Sequence, residues 1–507
     1  MTTAIIVILY LIVLFGACAW AQQQEKKRIA AGAQGSFLMA GKNLSLIIIV
    51  MLCAGGSIGG ATTTGIAQLV QTAGVSSIWY GAANVIGLLF LGIVGAKRIR
   101  RLGYSTNAEM VADYCGSAAR YLMTIGQLII ILGVGCLQYV TGGAMLSTMF
   151  PGTISFNAGI AITAMAFAVI CILGGLYGTG LANVINVIVI YVSLFVCLFV
   201  ALAKYGSISE ISAQINQLQQ ATIAGGPWLT LTGGLGLLTC LSYLVSEPGN
   251  RITTQSNTMC AHAAKSEKTA SWGIIVGALL CLPICIISVI FGLIAKVNFP
   301  DIPSAQAMSR VIMSLGPVLS GIGMAGLWAV TVSTGVALLM SAAQLVGFDV
   351  LAPLKKNWLS TPKTEALTSR VSLIIMVGVT LFLAYRATSI VGTIITVLCI
   401  TPAFFWMMLS FLYWPRLIKK SSAIVTQVVA YIFFCAWLFI PNVKAVFPTP
   451  IYVEWPICTV VWFLCYFVDK RPIDNVMPKM ERLIAANSKG GKEGEGPFGP
   501  ILSAIIP

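Results

Sequence analysis

The chain has 507 residues, 58% of them hydrophobic and only 9% charged, with a mean hydropathy of +0.92. Soluble domains carry about a quarter of their residues as Asp, Glu, Lys and Arg, so this composition excludes a soluble enzyme or nucleic-acid-binding domain and indicates an integral membrane protein. The net charge of +15 sits mainly in short segments between apolar runs, the pattern of a topology signal rather than of a surface for anionic partners.

A spanning helix needs about 20 largely apolar residues. Thirteen spans are predicted, at 3–21, 43–71, 76–97, 121–149, 157–175, 181–203, 230–247, 272–295, 317–345, 370–387, 389–413, 422–441 and 451–468. Span 1 has the hydropathy of a signal peptide but no basic residue before it. Gln22–Arg28 follows it like a cytoplasmic anchor, so a retained helix is expected. The segments after odd-numbered spans, tail included, hold 25 of the 30 basic residues, among them Lys97, Arg98, Arg100 and Arg101 after span 3. The positive-inside rule then puts the N-terminus outside and the C-terminus in the cytoplasm, with the protein in the plasma (inner) membrane. The loop Gly206–Pro227 has no basic residue and reads as an external cap, and Asn487–Pro500 as a flexible, solvated end. The 14 cysteines are scattered singly, no CxxC occurs, and His262 is the single histidine, so no disulfide framework or metal cluster is implied.

Span 2 carries the most informative feature. Apolar residues Leu44–Leu52 and Ile66–Val70 flank a run of Gly, Ser and Thr, from Ala54 through Gly55, Gly56, Ser57, Ile58, Gly59 and Gly60 to Gly65. In hydrocarbon every backbone N–H and C=O needs a partner, so weak helix formers at mid-bilayer depth are tolerated best where backbone faces protein or a wet cavity. Unwound helices at the midplane are how many secondary transporters hold ions and solutes. Span 2 therefore points to transport.

Span 9 carries Ser333 and Thr334 in an apolar helix, with Gln344 and Asp349 beyond them. Such hydroxyls commonly bond back to the carbonyl one turn earlier and ease helix packing. They also suit a hard cation such as Na⁺. Carbonyls freed by an unwound helix and two hydroxyls facing it supply oxygen ligands without a fixed carboxylate.

Several stretches resemble the sodium:solute symporter family. Phe37-Leu38-Met39-Ala40-Gly41-Lys42-Asn43-Leu44 is similar to the "FLAGR-L" lead-in to that family's first core helix, with Lys42 in place of Arg. Leu173-Gly174-Gly175-Leu176-Tyr177-Gly178 resembles its "GGLRA" turn, and Ala263–Ala270 its "AAKDEKTA" loop. Ser333-Thr334 ahead of Asp349 is similar to its "SS…DIY" pattern. The resemblance runs from about Phe37 to Pro415 with consistent order and spacing.

It implies an all-α membrane protein with a 5+5 inverted-repeat core: an extra helix and linker at 1–36, a first repeat at 37–204, an external loop at 205–229, a second repeat at 230–415, two further spans at 416–468 and a cytoplasmic tail at 469–507. It further implies Na⁺ as coupling ion, held by the carbonyls of Gly55, Ile58 and Val330 and the hydroxyls of Ser333 and Thr334. The chain departs from the family's "WTDxxQ" run, which here reads Leu181-Ala182-Asn183-Val184-Ile185-Asn186, and Ala337 lacks a hydroxyl one turn after Thr334. One sodium per cycle is therefore expected.

For the solute, Ser57, Gly59, Gly60 and Thr62 lie in or just past the break, where backbone N–H groups suit a carboxylate or carbonyl oxygen. Asn84 on span 3 and Gln138 on span 4 are amides at membrane depth that serve either a solute or a packing hydrogen bond. Tyr243 on span 7 serves either as a cover or as core packing. Glu247 and Arg251, four residues apart, read as a local ion pair. No ionisable residue stands at the centre of spans 2, 4 or 9, against a proton relay. The expected function is Na⁺-coupled symport of a small polar solute, an amino acid or small carboxylate first. An uncoupled facilitator, a solute sensor, or a symporter of a choline-like or sugar-like solute are the alternatives. No enzyme constellation is present. The working unit is expected to be a monomer in the lipid bilayer, with a small-molecule partner and no nucleic acid.

Overall fold

The computed structural model describes residues 2–30, 36–150, 152–221, 228–354, 361–386, 397–414, 417–446 and 450–470. Among these residues the chain is helical with no strand, and one isolated bridge joins Leu44 to Ala264. Helix α1 spans Thr2–Ala30. Span 2 is two helices, α2 (Leu46–Ser57) and α3 (Thr64–Ala73). Helix α4 (Ile78–Phe90) passes through a π-helical turn, Leu91–Gly95, into α5 (Ala96–Leu102), which Gly103 ends in the left-handed conformation at φ 76°. The short α6 (Asn107–Cys115) opens on Thr106, whose hydroxyl accepts the Glu109 N–H at 2.9 Å, a capping bond. Helix α7 covers Ser117–Met149.

Spans 5 and 6 are two helices joined at a kink, together α8 (Phe156–Tyr205), 50 residues long. A straight helix of that length would measure about 75 Å, more than twice the roughly 30 Å of hydrocarbon. Gly175 breaks it at φ 54°, ψ −157°, a backbone that only glycine adopts cheaply, and a Cβ there would lie 2.8 Å from the Phe37 carbonyl. Helix α9 (Ile208–Ala221) follows within the expected external loop. Span 7 begins later than expected: residues 230–236 are turns and α10 runs Leu237–Thr253. The threonines and glycines of that stretch are weak helix formers, and Gly236 sits at φ 78°.

The remaining helices are α11 (Gln255–Ala263), α12 (Glu267–Asn298), α13 (Ala307–Met313), α14 (Pro317–Gln344), α15 (Pro362–Arg386), α16 (Pro402–Tyr413), α17 (Lys420–Phe439), α18 (Pro441–Val446) and α19 (Ile451–Val468). Helix α19 has the bounds expected of span 13. Residues 389–396 of span 11 and the expected solvated tail at 487–500 lie outside the described residues.

Among the described residues nine helices are long and apolar enough to cross a membrane, with α2 and α16 as shorter apolar helices. The expected count of thirteen is not confirmed among them. Two of the nine, Thr64–Leu102 and Phe156–Tyr205, run through stretches read as separate spans, and α10 is only 17 residues long and carries Glu247 and Arg251.

Helix α14 is the axis of the fold. Within its apolar window 94% of residues are buried, as expected of a helix hydrophobic on every side. It packs against α1, α2, α7 and α8. The stretches that carry the family resemblance meet at one end of it. The Leu176 N–H donates to the Phe37 carbonyl at 3.0 Å, and Gln344 Nε2 to the Leu38 carbonyl at 2.7 Å. The Leu44 N–H donates to the Ala263 carbonyl at 3.1 Å, and the Lys265 N–H to the Leu44 carbonyl at 3.0 Å. Glu365 binds the Ser36 hydroxyl at 2.6 Å and the Leu38 N–H at 3.1 Å. Motifs far apart in the chain thus form one hydrogen-bonded junction.

A candidate ion site where the broken helix meets α14

Helix α2 ends because its last turn gives up its regular bonds. Ile58 still donates to the Ala54 carbonyl at 2.7 Å, but its ψ of 76° turns the chain out of the helix. The Gly59 N–H goes instead to Thr62 Oγ1 at 3.0 Å, so the Gly55 carbonyl loses its usual amide. That carbonyl accepts from Thr334 Oγ1 of α14 at 3.0 Å. Threonines secure the rest of the break: Thr63 Oγ1 donates to the Gly59 carbonyl at 3.0 Å and Thr64 Oγ1 to the Gly60 carbonyl at 2.8 Å. Glycine is required here by close approach. A Cβ on Gly59 would lie 2.9 Å from Thr334 Oγ1, and one on Gly55 would lie 2.9 Å from Asn183.

Of the five residues implied as sodium ligands, Gly55 and Thr334 meet directly across the two helices. Ser333 Oγ lies on the same turn as the Val330 carbonyl, to which it donates at 3.0 Å. Ile58 closes α2 and is buried, as are Val330, Ser333 and Thr334. The set offers neutral oxygens only, which suits a hard monovalent cation. Among the described residues no group of three His, Cys, Asp or Glu side chains could hold a metal.

The solute candidates divide. The Gly60 N–H is taken by Gln138 Oε1 at 3.1 Å and the Gly59 N–H by Thr62 Oγ1 at 3.0 Å, whose hydroxyl lies 3.1 Å from both the Ser57 and the Gly59 carbonyls, so these two N–H groups already bond protein oxygens. Asn84 is buried, with no partner for its Oδ1. Tyr243 packs edge-on against Tyr80 with ring centres 5.6 Å apart. A cavity of about 70 Å³ opens beside the break, lined by Gly56, Thr334, Tyr80, Glu247, Asn250 and Arg251 with their neighbours. Glu247 and Arg251 form the expected pair at 2.9 Å, and Asn257 Oδ1 accepts from Arg251 Nη1 at 3.1 Å.

Sequence reasoning passed over the role of Tyr80, Asn250 and Thr141 here, and treated Asn183 only as a departure from a pattern. Gln138 and Thr141, three apart on an apolar helix, share a face and both lie beside Gly60. That spacing was the available signal.

A model of the sodium:solute symporter family matches residues 37–429. The chain belongs to the sodium:solute symporter family. The chain is 20% identical over 357 residues to the uncharacterized symporter YwcA of Bacillus subtilis strain 168, a match covering 65% of this chain and 66% of that one. It is 24% identical over 197 residues to high-affinity choline transporter 1 of Caenorhabditis elegans, covering 39% of this chain and 32% of the relative. The matches thus span about two thirds of the first relative and about one third of the second. Among solved structures it resembles a Na⁺-coupled sialic acid symporter in a substrate-bound outward-open state, with a TM-score of 0.75 at 13% identity over 92% of this chain and 98% of that one. Mhp1, a nucleobase-cation-symport-1 family transporter in a closed conformation, follows with a TM-score of 0.57 at 13% identity over 89% and 95%. These likenesses show a shared all-helical fold. The family and these neighbours are transporters, not enzymes.

Proposed function

We propose that this symporter couples the entry of one Na⁺ to the uptake of a small polar organic solute by alternating access. The observation that carries the reading is the Thr334–Gly55 contact. It brings a carbonyl released by the unwound helix to a hydroxyl of the central helix. Sodium binds between them with the carbonyls of Ile58 and Val330 and the Ser333 hydroxyl. Bridging the break to α14 favours the outward-open state, and rocking of the bundle then opens the cytoplasmic side. The repeats are taken as 37–204 and 230–415, with the N-terminus outside and the C-terminus in the cytoplasm of the plasma-membrane protein.

One charge moving down about 100 mV supplies about 2.3 kcal/mol, roughly fifty-fold accumulation before any chemical gradient. The coupled reading is supported by the family and by the Na⁺-coupled sialic acid symporter that shares the fold.

The first solute class is an amino acid or small carboxylate, met by Ser57, Thr62, Asn84, Gln138 and Tyr243, with the Gly59 and Gly60 N–H groups exchanging Thr62 and Gln138 for the solute oxygen. A second class, a choline-like cation, is favoured by Tyr80 in the cavity lining, since aromatic faces attract quaternary ammonium, while Glu247 there is already paired with Arg251. A thermal-shift screen of the purified protein against amino acids, carboxylates and quaternary amines, with Na⁺ or K⁺, decides between them. A stabilising solute seen only with Na⁺ supports symport. A hit indifferent to the cation points to a facilitator or sensor.

A further inference from the structure

The family match begins at residue 37, so α1 lies ahead of it. Helix α1 nevertheless packs against both α8 and α14. Its Tyr10 is buried, sits edge-on to Trp328 of α14 with ring centres 6.5 Å apart, and donates its hydroxyl to Asn186 Oδ1 at 2.7 Å. Asn186 Nδ2 approaches Asn183 Oδ1 at 3.4 Å, and Asn183 Nδ2 approaches the Ser333 carbonyl at 3.4 Å. Asn183 also presses against Gly55, where an added Cβ would be 2.9 Å from its amide. One side chain therefore touches both walls of the candidate ion site.

The direction of this chain is fixed by chemistry. The Ser333 carbonyl only accepts, so Asn183 must present its NH₂ there and turn its oxygen to Asn186. Asn186 must then donate to Asn183 and accept from Tyr10, which must donate. No residue in the series is more than 7% exposed, so water does not compete for these bonds. The Asn183 oxygen is thereby kept away from the ion, and the Ser333 backbone and Gly55 are held at one separation.

We propose that Tyr10 is a positioning residue that sets the sodium affinity of the site through Asn186 and Asn183. The proposal rests on the sodium reading above. The sodium ligands lie on α2 and α14, and the relay braces them from a third and a fourth helix without contributing a ligand.

The test uses the full-length purified protein and compares wild type, Tyr10→Phe, Asn186→Leu and the double variant. The Na⁺ concentration for half-maximal thermal stabilisation is read in each, together with uptake in proteoliposomes. Loss of one hydrogen bond from a preorganised site is expected to raise half-saturating Na⁺ about three- to ten-fold in Tyr10→Phe, with the maximal uptake rate at saturating Na⁺ unchanged. The double variant should be no worse than the weaker single one, because both cut the same series. Tyr10→Phe with unchanged half-saturating Na⁺, or with only a lower melting temperature and lower maximal rate, overturns the proposal and leaves the sodium reading standing. A wild-type protein whose stability and uptake ignore Na⁺ overturns both.

Discussion

Thr334 Oγ1 of the central helix hydrogen-bonds the Gly55 carbonyl of the broken helix at 3.0 Å, across 279 residues of chain. Two oxygens so placed, one from each partner, are what a small cation needs to pull the helices together. Thr334→Ala should remove sodium-stimulated uptake, raising half-saturating Na⁺ at least ten-fold, while Thr334→Ser keeps most of it. Ser333→Ala combined with Thr334→Ala should abolish the sodium dependence with the fold intact. Equal sodium dependence in wild type and the double variant, measured as tracer uptake in Na⁺ against K⁺, would remove the site from α14.

Gly59→Ala tests close approach rather than ligand chemistry. The added methyl would sit 2.9 Å from Thr334 Oγ1, so either the threonine or the break must move. Uptake should fall at least ten-fold with little loss of melting temperature, since the break is already non-helical. Gly175→Ala should behave in the opposite way. There the left-handed backbone and the Phe37 carbonyl oppose a side chain, at a cost of about 1–2 kcal/mol from the backbone alone. Its mark is a lower melting temperature and lower yield.

Asn183→Asp should change the stoichiometry. The amide NH₂ that faces the Ser333 carbonyl would become a carboxylate oxygen, and two acceptors buried together demand a cation. Sodium taken up per solute, measured by dual-tracer uptake, should rise from one towards two. A ratio already at two in the wild type would refute the single-sodium reading.

The Glu247–Arg251 pair lies beside the cavity with its side chains only 4% and 12% exposed. Arg251→Met leaves a nearly buried carboxylate unpaired and should cost about 3–5 kcal/mol, the usual penalty for breaking such a pair. Glu247→Gln with Arg251→Met should recover much of that stability. Thermal unfolding in detergent compares wild type, both single variants and the double one, and additive losses would show that the pair is not coupled.

His262 provides a pH dependence. It lies on α11, outside the membrane spans. Burial, and then the nearby Lys42 charge, lower its pKa from 6.5 to about 3. Its Nε2 is 3.1 Å from Asn107 Oδ1, and a backbone hydrogen bond at Tyr104 offsets part of the fall. Below pH 6.5 the unfolded chain takes up a proton that the folded one refuses until about pH 3, so stability falls across that window as pH drops and is unaffected above it. The loss is about 2 kcal/mol at pH 5. His262→Gln should therefore show a smaller drop in melting temperature between pH 7.5 and pH 5 than the wild type does.

Membrane class, the break in span 2 and the hydroxyl pair of span 9 were legible in the chain itself. They are local properties: hydropathy over about 20 residues, and the weak helix propensity of the Gly, Ser and Thr run. The family motifs were equally legible, because each is a short contiguous string. The kink that joins span 5 to span 6 and the late start of span 7 were not. Those depend on what a glycine or threonine meets in space.

Local signal also failed where partners are distant. Tyr10 and Asn186 are 176 residues apart, and an apolar first helix gives no hint of which side chain it turns inward. Thr334 and Glu247 come to line one cavity only because α10 and α14 both border it. The chain by itself determined that it spans a membrane, where a helix must fail and which oxygens are spare. Packing alone decided which of those oxygens face one another and what braces them, since helix crossing angles follow from side chains interlocking along whole surfaces.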